Sequence, residues 1–155
     1  MGKIKNTIKV TPQIKNILEE IHKTIKTDHF IFYGGAVLDL LLNKKPYIND
    51  YDIAIPTKNK KIISKVLENL KTDNYTILEK RKYFINIDTE LVLIYAIKKD
   101  IYLDIAFMNN VEDVGQFSIG SLYCRYPEMD IIDKFHAIED LKAKRIKLIR
   151  GVKEN

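Results

Sequence analysis

The chain has 155 residues, enough to bury a core as one domain, and its balance of 46% hydrophobic and 30% charged residues excludes a disordered or fibrous protein. No apolar run approaches the roughly 20 residues of a membrane span, and the N-terminal Met1-Gly2-Lys3-Ile4-Lys5-Asn6-Thr7 lacks the apolar stretch of a secretory signal, so a cytoplasmic protein with no membrane partner is expected. The single cysteine, Cys124, excludes an internal disulfide, and the net charge of +5 with a pI near 9.1 fits a polyanion partner such as RNA or a nucleotide.

Nearly all of that positive charge is lysine; arginine occurs only at Arg81, Arg125, Arg145 and Arg150. Abundant Lys, Asn, Ile and Tyr is also what an AT-rich coding sequence produces, so charge alone assigns no partner. The absence of repeats and of Gly/Ser/Pro linkers predicts one domain over 1–155, an N-terminal helical segment (1–28) followed by a core (29–151).

Thr11-Pro12 reads as an N-cap and first helical residue, and Ile14, Ile17, Leu18, Ile21 and Ile25 recur at helical spacing up to about Lys26. His29 to Tyr33 reads as a buried strand, broken by Gly34-Gly35, and Ala36 to Leu42 as a helix. After a loop carrying Lys44, Lys45 and Pro46, Asp50 to Ile55 alternates, with Tyr51, Ile53 and Ile55 on one face and Asp50, Asp52 and Ala54 on the other. Lys60 to Leu70 has the pattern of a second amphipathic helix. Tyr75 to Leu78, Leu91 to Ile97 and Ile101 to Phe107 read as strands, the last two joined as a hairpin through Lys98-Lys99-Asp100. Beyond a less regular stretch leading into Phe117–Tyr123, Asp130 to Ile132 reads as a short strand, His136 to Lys144 as a helix and Ile146 to Ile149 as a final strand. The order predicts an α+β fold: a mixed, mostly antiparallel sheet with helices packed on one side.

In a strand, residues i and i+2 share a face, so Asp50 and Asp52 project side by side with Cα atoms roughly 6.5–7 Å apart. Adjacent carboxylates repel unless a cation lies between them, which makes the pair a cradle for Mg²⁺, with Mn²⁺ as the alternative ion. Asp104 lies between Leu103 and Ile105 in an apolar strand, where an acid needs a reason. If its strand adjoins that of Asp50, the three acids converge on a site for two metals about 3.5–4 Å apart and in-line phosphoryl displacement, with Asp104 as general base or ligand on the nucleophile side. Gly34-Gly35 before a helix is a plausible triphosphate seat, because glycine admits close backbone approach and a helix N-terminus offers N–H groups. Alone, a Gly-Gly is a tight turn and an Asp-x-Asp a solvated strand edge; their order together points to phosphoryl transfer.

Gly34-Gly35-Ala36-Val37-Leu38-Asp39-Leu40-Leu41-Leu42 followed by Asp50-Tyr51-Asp52-Ile53-Ala54 resembles the head domain of class II CCA-adding enzymes and bacterial poly(A) polymerases, within the polymerase-beta-like nucleotidyltransferases. Their motif runs G-G-x-V-R-D-x-L-L-G, then D-x-D. Phe117-Ser118-Ile119, and the stretch from Ile131 to Phe135 and Ile138 to Ile146, continue the similarity in the family's order. The resemblance implies Asp50, Asp52 and Asp104 as metal-binding catalytic residues and Gly34 and Gly35 as triphosphate contacts; Asp39 is read as a structural helix residue. It implies an NTP substrate and an RNA, tRNA-like 3′ end as acceptor.

Departures from the motif also matter. The motif arginine is Leu38 here, the helix-ending glycine is Asn43, and the R-R-D-F-T-I-N-A segment reads Val114-Gly115-Gln116-Phe117-Ser118-Ile119-Gly120-Ser121. Lys44, Lys45, Arg81, Lys82 and Arg125 are the candidates to replace the missing phosphate-binding arginines. Tyr47, Tyr51 and Tyr83 could stack on a base, with packing as their expected role. The chain ends at Asn155 without room for the family's neck, body and tail domains, so C-C-A addition by this chain alone is not expected. Two readings follow: a metal-dependent nucleotidyltransferase, and a catalytically weak or inactive head-domain homologue that binds RNA or protein.

Overall fold

The computed structural model describes residues 7–41, 49–86, 89–109 and 122–133, with 139 and 143. Eleven elements follow in chain order: β1 (Thr7–Lys9), α1 (Pro12–Ile25), β2 (Phe30–Tyr33), α2 (Gly35–Leu41), β3 (Asn49–Ile55), α3 (Lys60–Thr72), β4 (Thr76–Asn86), β5 (Thr89–Lys98), β6 (Ile101–Phe107), β7 (Tyr123–Tyr126) and β8 (Asp130–Ile132). The strands form one eight-stranded sheet in the order β1-β8-β7-β2-β3-β6-β5-β4. Among the described residues only β3 and β6, in its interior, run parallel; the other pairs are antiparallel. This is the mixed α+β architecture expected from the sequence.

Local chemistry accounts for the helix ends. The Thr11 hydroxyl accepts from Ile14 N at 3.2 Å and Pro12 needs no hydrogen-bond partner at the first helical position. Lys26 closes α1 in the left-handed region, φ 56°, its N–H donating to His22 O at 2.8 Å. The Asn59 side chain caps α3, accepting from Lys61 N at 2.9 Å and Ile62 N at 3.3 Å.

The two faces of the sheet differ. Phe30, Phe32, Ile53, Ile55, Ile94, Leu103, Ile105 and Phe107 point toward the helices and bury against Ile14, Leu18, Ile25, Val37, Leu40, Ile63, Val66 and Leu70 in one core. The first helix is thus part of the main core, tied to α3 by a hydrogen bond from Asn69 Nδ2 to Ile25 O at 3.1 Å. The opposite face carries a smaller cluster of Ile31, Ala54, Ala106 and Tyr123, and the acids lie on this side.

Two elements exceed the sequence-based expectation. The N-terminal segment begins with a strand, β1, too short to show a hydrophobic pattern and held by pairing with β8 and by Ile8 against the main core. β4 continues past Leu78 through Glu79-Lys80-Arg81-Lys82, a charged run that does not read as a strand but suits a sheet edge, where charge discourages further pairing. Of the predicted helix His136–Lys144 the described residues are Glu139, which is helical, and Ala143, whose N–H donates to Glu139 O at 2.9 Å; the strand Ile146–Ile149 and most of the Phe117–Tyr123 stretch lie outside the described residues.

Candidate active site

The central parallel pair sets the site. β3 and β6 are in register from Asn49 beside Ile101 to Ile55 beside Phe107, and this places Asp52 directly beside Asp104. Neighbouring strands are about 4.8 Å apart, so the two carboxylates share one face within reach of each other. Asp50, one pleat earlier and beside Tyr102, is on the same face but exposed, whereas Asp52 and Asp104 are half-buried. The three acids therefore form a tight pair with a third carboxylate at its rim. Among the described residues no three His, Cys, Asp or Glu side chains close around a single point.

Electrostatics marks the same pair. The Asp52 carboxyl is pushed up to about 7 by burial first, then by the charges of Asp104 and Asp50, and by a hydrogen bond with Asp104. Asp104 is also raised, by burial and by Asp50, while its bond with Asp52 acts in the opposite direction. The metal-free site thus tends to hold a proton on Asp52, shared toward Asp104. A cation placed between them would relieve the same repulsion, and an all-oxygen donor set of few carboxylates is what Mg²⁺ accepts when water and phosphate complete its shell.

Gly34 sits against Asp52. It follows β2, has φ of +88°, and a Cβ built on it would lie 2.9 Å from Asp52 Oδ2. Gly35, the first residue of α2, is different: a Cβ there would meet nothing within 4 Å. The structure itself therefore requires a glycine at 34, while at 35 it leaves open space beside the first turn of a helix.

A row of side chains crosses the sheet through the pair. From β8 to β4 it runs Ile132, Tyr123, Tyr33, Asp52, Asp104, Tyr95 and Glu79. The Tyr33 phenol is held well above its usual range by burial and by the two aspartates, so it stays a neutral O–H beside Asp52. Tyr33, Tyr95 and Glu79 were not singled out in the sequence. Only the register reveals them, although Tyr33 immediately precedes the glycine pair.

Other expected residues lie elsewhere. Arg125 shares the acid face but is engaged by Asp130, with Nε–Oδ1 at 2.8 Å and Nη2–Oδ2 at 2.6 Å, and lies 3.7 Å from Glu128. This bidentate pair links β7 to β8 across the strand connection and competes with any phosphate for the guanidinium. Tyr51 points to the helix side, its ring edge-on to Phe32 at 5.4 Å between centroids, in the packing role expected of it. Cys124 is fully buried and its thiol is pushed up to about 12 by burial, then by Asp130. Lys44, Lys45, Tyr47, the Val114–Ser121 segment and the side chains of Leu38, Arg81, Lys82 and Tyr83 lie outside the described residues.

The sequence profile of the poly A polymerase head domain matches residues 30–147, a span that contains the glycine pair and all three acids. The chain belongs to this head-domain family. A CCA-adding enzyme of Streptococcus uberis is 30% identical over 149 residues, covering 86% of this chain and 34% of that protein. Among solved structures, the Thermotoga maritima CCA-adding enzyme complexed with tRNA superimposes with a TM-score of 0.64 at 20% identity, over 95% of this chain and 37% of that one. A CCA-adding enzyme complexed with CTP gives a TM-score of 0.60 at 19% identity, over 95% and 38%. The chain thus spans about a third of the length of these relatives. At these identities the structural likeness establishes the fold, the nucleotidyltransferase head of the CCA-adding enzymes. Among the described residues no helix is long and apolar enough to cross a membrane.

Proposed function

We propose that this head domain transfers a nucleoside monophosphate from an NTP to a hydroxyl, with an RNA 3′ end as acceptor, using a divalent cation at Asp52 and Asp104 with Asp50 at the rim. The carrying observation is the direct register of Asp52 with Asp104 on the two central strands, closed on one side by Gly34. Membership in the family and the CTP- and tRNA-bound relatives support the substrate classes.

Mg²⁺, or Mn²⁺ in its place, would supply charge neutralisation of the triphosphate and a lowered pKa for the attacking hydroxyl. The remaining roles belong to the chain. The open space at Gly35 and the N–H groups of the first α2 turn receive the triphosphate. Asp104, on the far side of Asp52 from Gly34, accepts the proton of the acceptor hydroxyl. The hydroxyl oxygen then bonds to the α-phosphorus as the bond to the β-phosphate oxygen breaks and pyrophosphate leaves. Tyr33, kept neutral beside Asp52, adds no negative charge to the acid pair.

Incubation with Mg²⁺ or Mn²⁺, an RNA pool and each labelled NTP in turn, beside an Asp50→Ala/Asp52→Ala control, tests this reading. Label incorporation that the control abolishes supports it; no incorporation with any NTP contradicts it. The engagement of Arg125 by Asp130 favours the second reading, an RNA- or protein-binding module, which predicts metal-independent RNA binding without incorporation.

A further inference from the structure

At the end of β3 away from the acids, on the helix side of the sheet, lies a cleft of about 320 Å³. It is bounded by the end of α1 with the turn into β2, the end of β3 and one face of α3. Its volume stands at the lower end of the ~300–1,000 Å³ class of small-molecule sites. Ile25, Ile55 and Val66 line it, each no more than 2% exposed, so the cleft reaches the main core. Ile62, one turn before Val66, also lines it and stays 40% exposed. Two further observations bear on what it holds. Thr27 borders the cleft, and its Oγ1 is the one side-chain polar atom, among the described residues, that is buried without a hydrogen-bond partner. Such a group is costly unless something pairs with it. Lys26 and Lys65 also stand at the cleft, against a single acid, Asp28. Lys65 reaches Glu68 only at 3.9 Å, with both side chains exposed, a contact too weak to hold it.

We propose that this cleft binds a small monocarboxylate with an apolar body. The body lies on Ile25, Ile55 and Val66, and the carboxylate meets Lys26, Lys65 and the Thr27 hydroxyl. Charge selects this occupant. Two lysines against one aspartate leave one net positive charge, which matches a monoanion, whereas a phosphate dianion would be held against Asp28 as well. A cation is repelled by both lysines, and a purely apolar molecule leaves Thr27 unpaired. The threonine hydroxyl has a proton to donate and an ionised carboxylate only accepts, so the two are complementary. A change of χ1 rotamer, with no existing bond to break, turns that hydroxyl toward an entering carboxylate. The site is separate from the acid pair. Ile55 is three residues beyond Asp52 on β3, about 10 Å along the strand, and points to the opposite face of the sheet. Its occupant therefore does not compete with a nucleotide at the acids.

The test titrates the whole chain with butanoate, hexanoate and octanoate at neutral pH, read by isothermal calorimetry. One molecule binds per chain, and affinity rises by about fourfold for each added methylene, the gain expected of a buried CH₂. Octylamine, of the same length and opposite charge, does not bind. The double variant Lys26→Gln/Lys65→Gln and the single variant Thr27→Val each weaken octanoate by about tenfold or more, the size of a lost hydrogen bond to a charged group. The melting temperature without ligand is unchanged in the lysine variant, whose altered side chains are exposed, and equal or raised in Thr27→Val, which removes the unpartnered hydroxyl. No octanoate binding by the wild type, affinity that does not grow with chain length, octylamine binding as tight as octanoate, or wild-type affinity in either variant overturns the assignment.

Discussion

A Cβ atom on Gly34 would stand 2.9 Å from Oδ2 of Asp52, and Gly34 also holds a φ of +88° that side chains resist. The glycine is therefore part of the carboxylate site, letting the β2–α2 turn close over Asp52. Gly34→Ala is expected to cost about 1–3 kcal/mol of stability from backbone strain and the displaced carboxylate. Urea unfolding measures it, and Mg²⁺ affinity falls in parallel.

Gly35 supplies the contrast. A Cβ there meets nothing within 4 Å, and alanine is the better helix former at the start of α2. Gly35→Ala should leave the melting temperature equal or slightly raised while the KM for NTP rises, because the methyl enters the space that the proposed reading gives to the triphosphate. An unchanged KM would show that the triphosphate lies elsewhere.

The raised Asp52 carboxyl makes the metal-free protein pH-sensitive in a defined direction. Its folded value, about 7, lies above the ordinary 3.8, so between those values the native state binds more protons than the unfolded one. Stability is then fully present below the lower value and lost as pH rises through the upper. In EDTA the melting temperature should fall from about pH 5 to about pH 8. Asp52→Asn should flatten that dependence, and Mg²⁺ should stabilise the wild type more at the higher pH.

Arg125 separates a structural from a substrate role. Its guanidinium is bonded to Asp130 at 2.8 and 2.6 Å, and Arg125→Lys loses the two-pronged geometry. With Arg125 partly exposed, the expected cost is about 1 kcal/mol in chemical denaturation, with no change in the KM for NTP. A raised KM at unchanged stability would instead restore the phosphate-binding role expected from the sequence.

Cys124 lies fully buried between β2 and β8, and burial keeps its thiol protonated. Native protein should react with a thiol reagent only at the rate of unfolding, and completely in denaturant. Rapid labelling of the native protein would contradict the burial.

Much of this site was legible from residue order. The alternation of Asp50, Tyr51, Asp52 and Ile53 assigned opposite faces correctly, and an acid between Leu103 and Ile105 stood out because burial of a lone charge is unfavourable. What periodicity could not supply was pairing. The register of β3 with β6 joins residues some fifty positions apart and decides that Asp52, rather than Asp50, is the partner of Asp104. Strand pairing likewise brings Tyr33 and Tyr95 to the row, and Asp130 to Arg125 within the β7–β8 hairpin. A bulge at Leu78, between the pairs Ile77–Ala96 and Glu79–Tyr95, was hidden because β4 reads as ending there, its charged continuation being edge strand.

The central claim is that Asp52 and Asp104 act as one unit in nucleotidyl transfer. The most direct measurement is the rate of labelled nucleotide incorporation into RNA by Asp52→Asn, Asp104→Asn and the double variant. Each single change should lower the rate by about a hundredfold or more, and the double should lose little beyond either one, as groups that work together do. A single variant with near wild-type rate, or losses that multiply in the double variant, would contradict it.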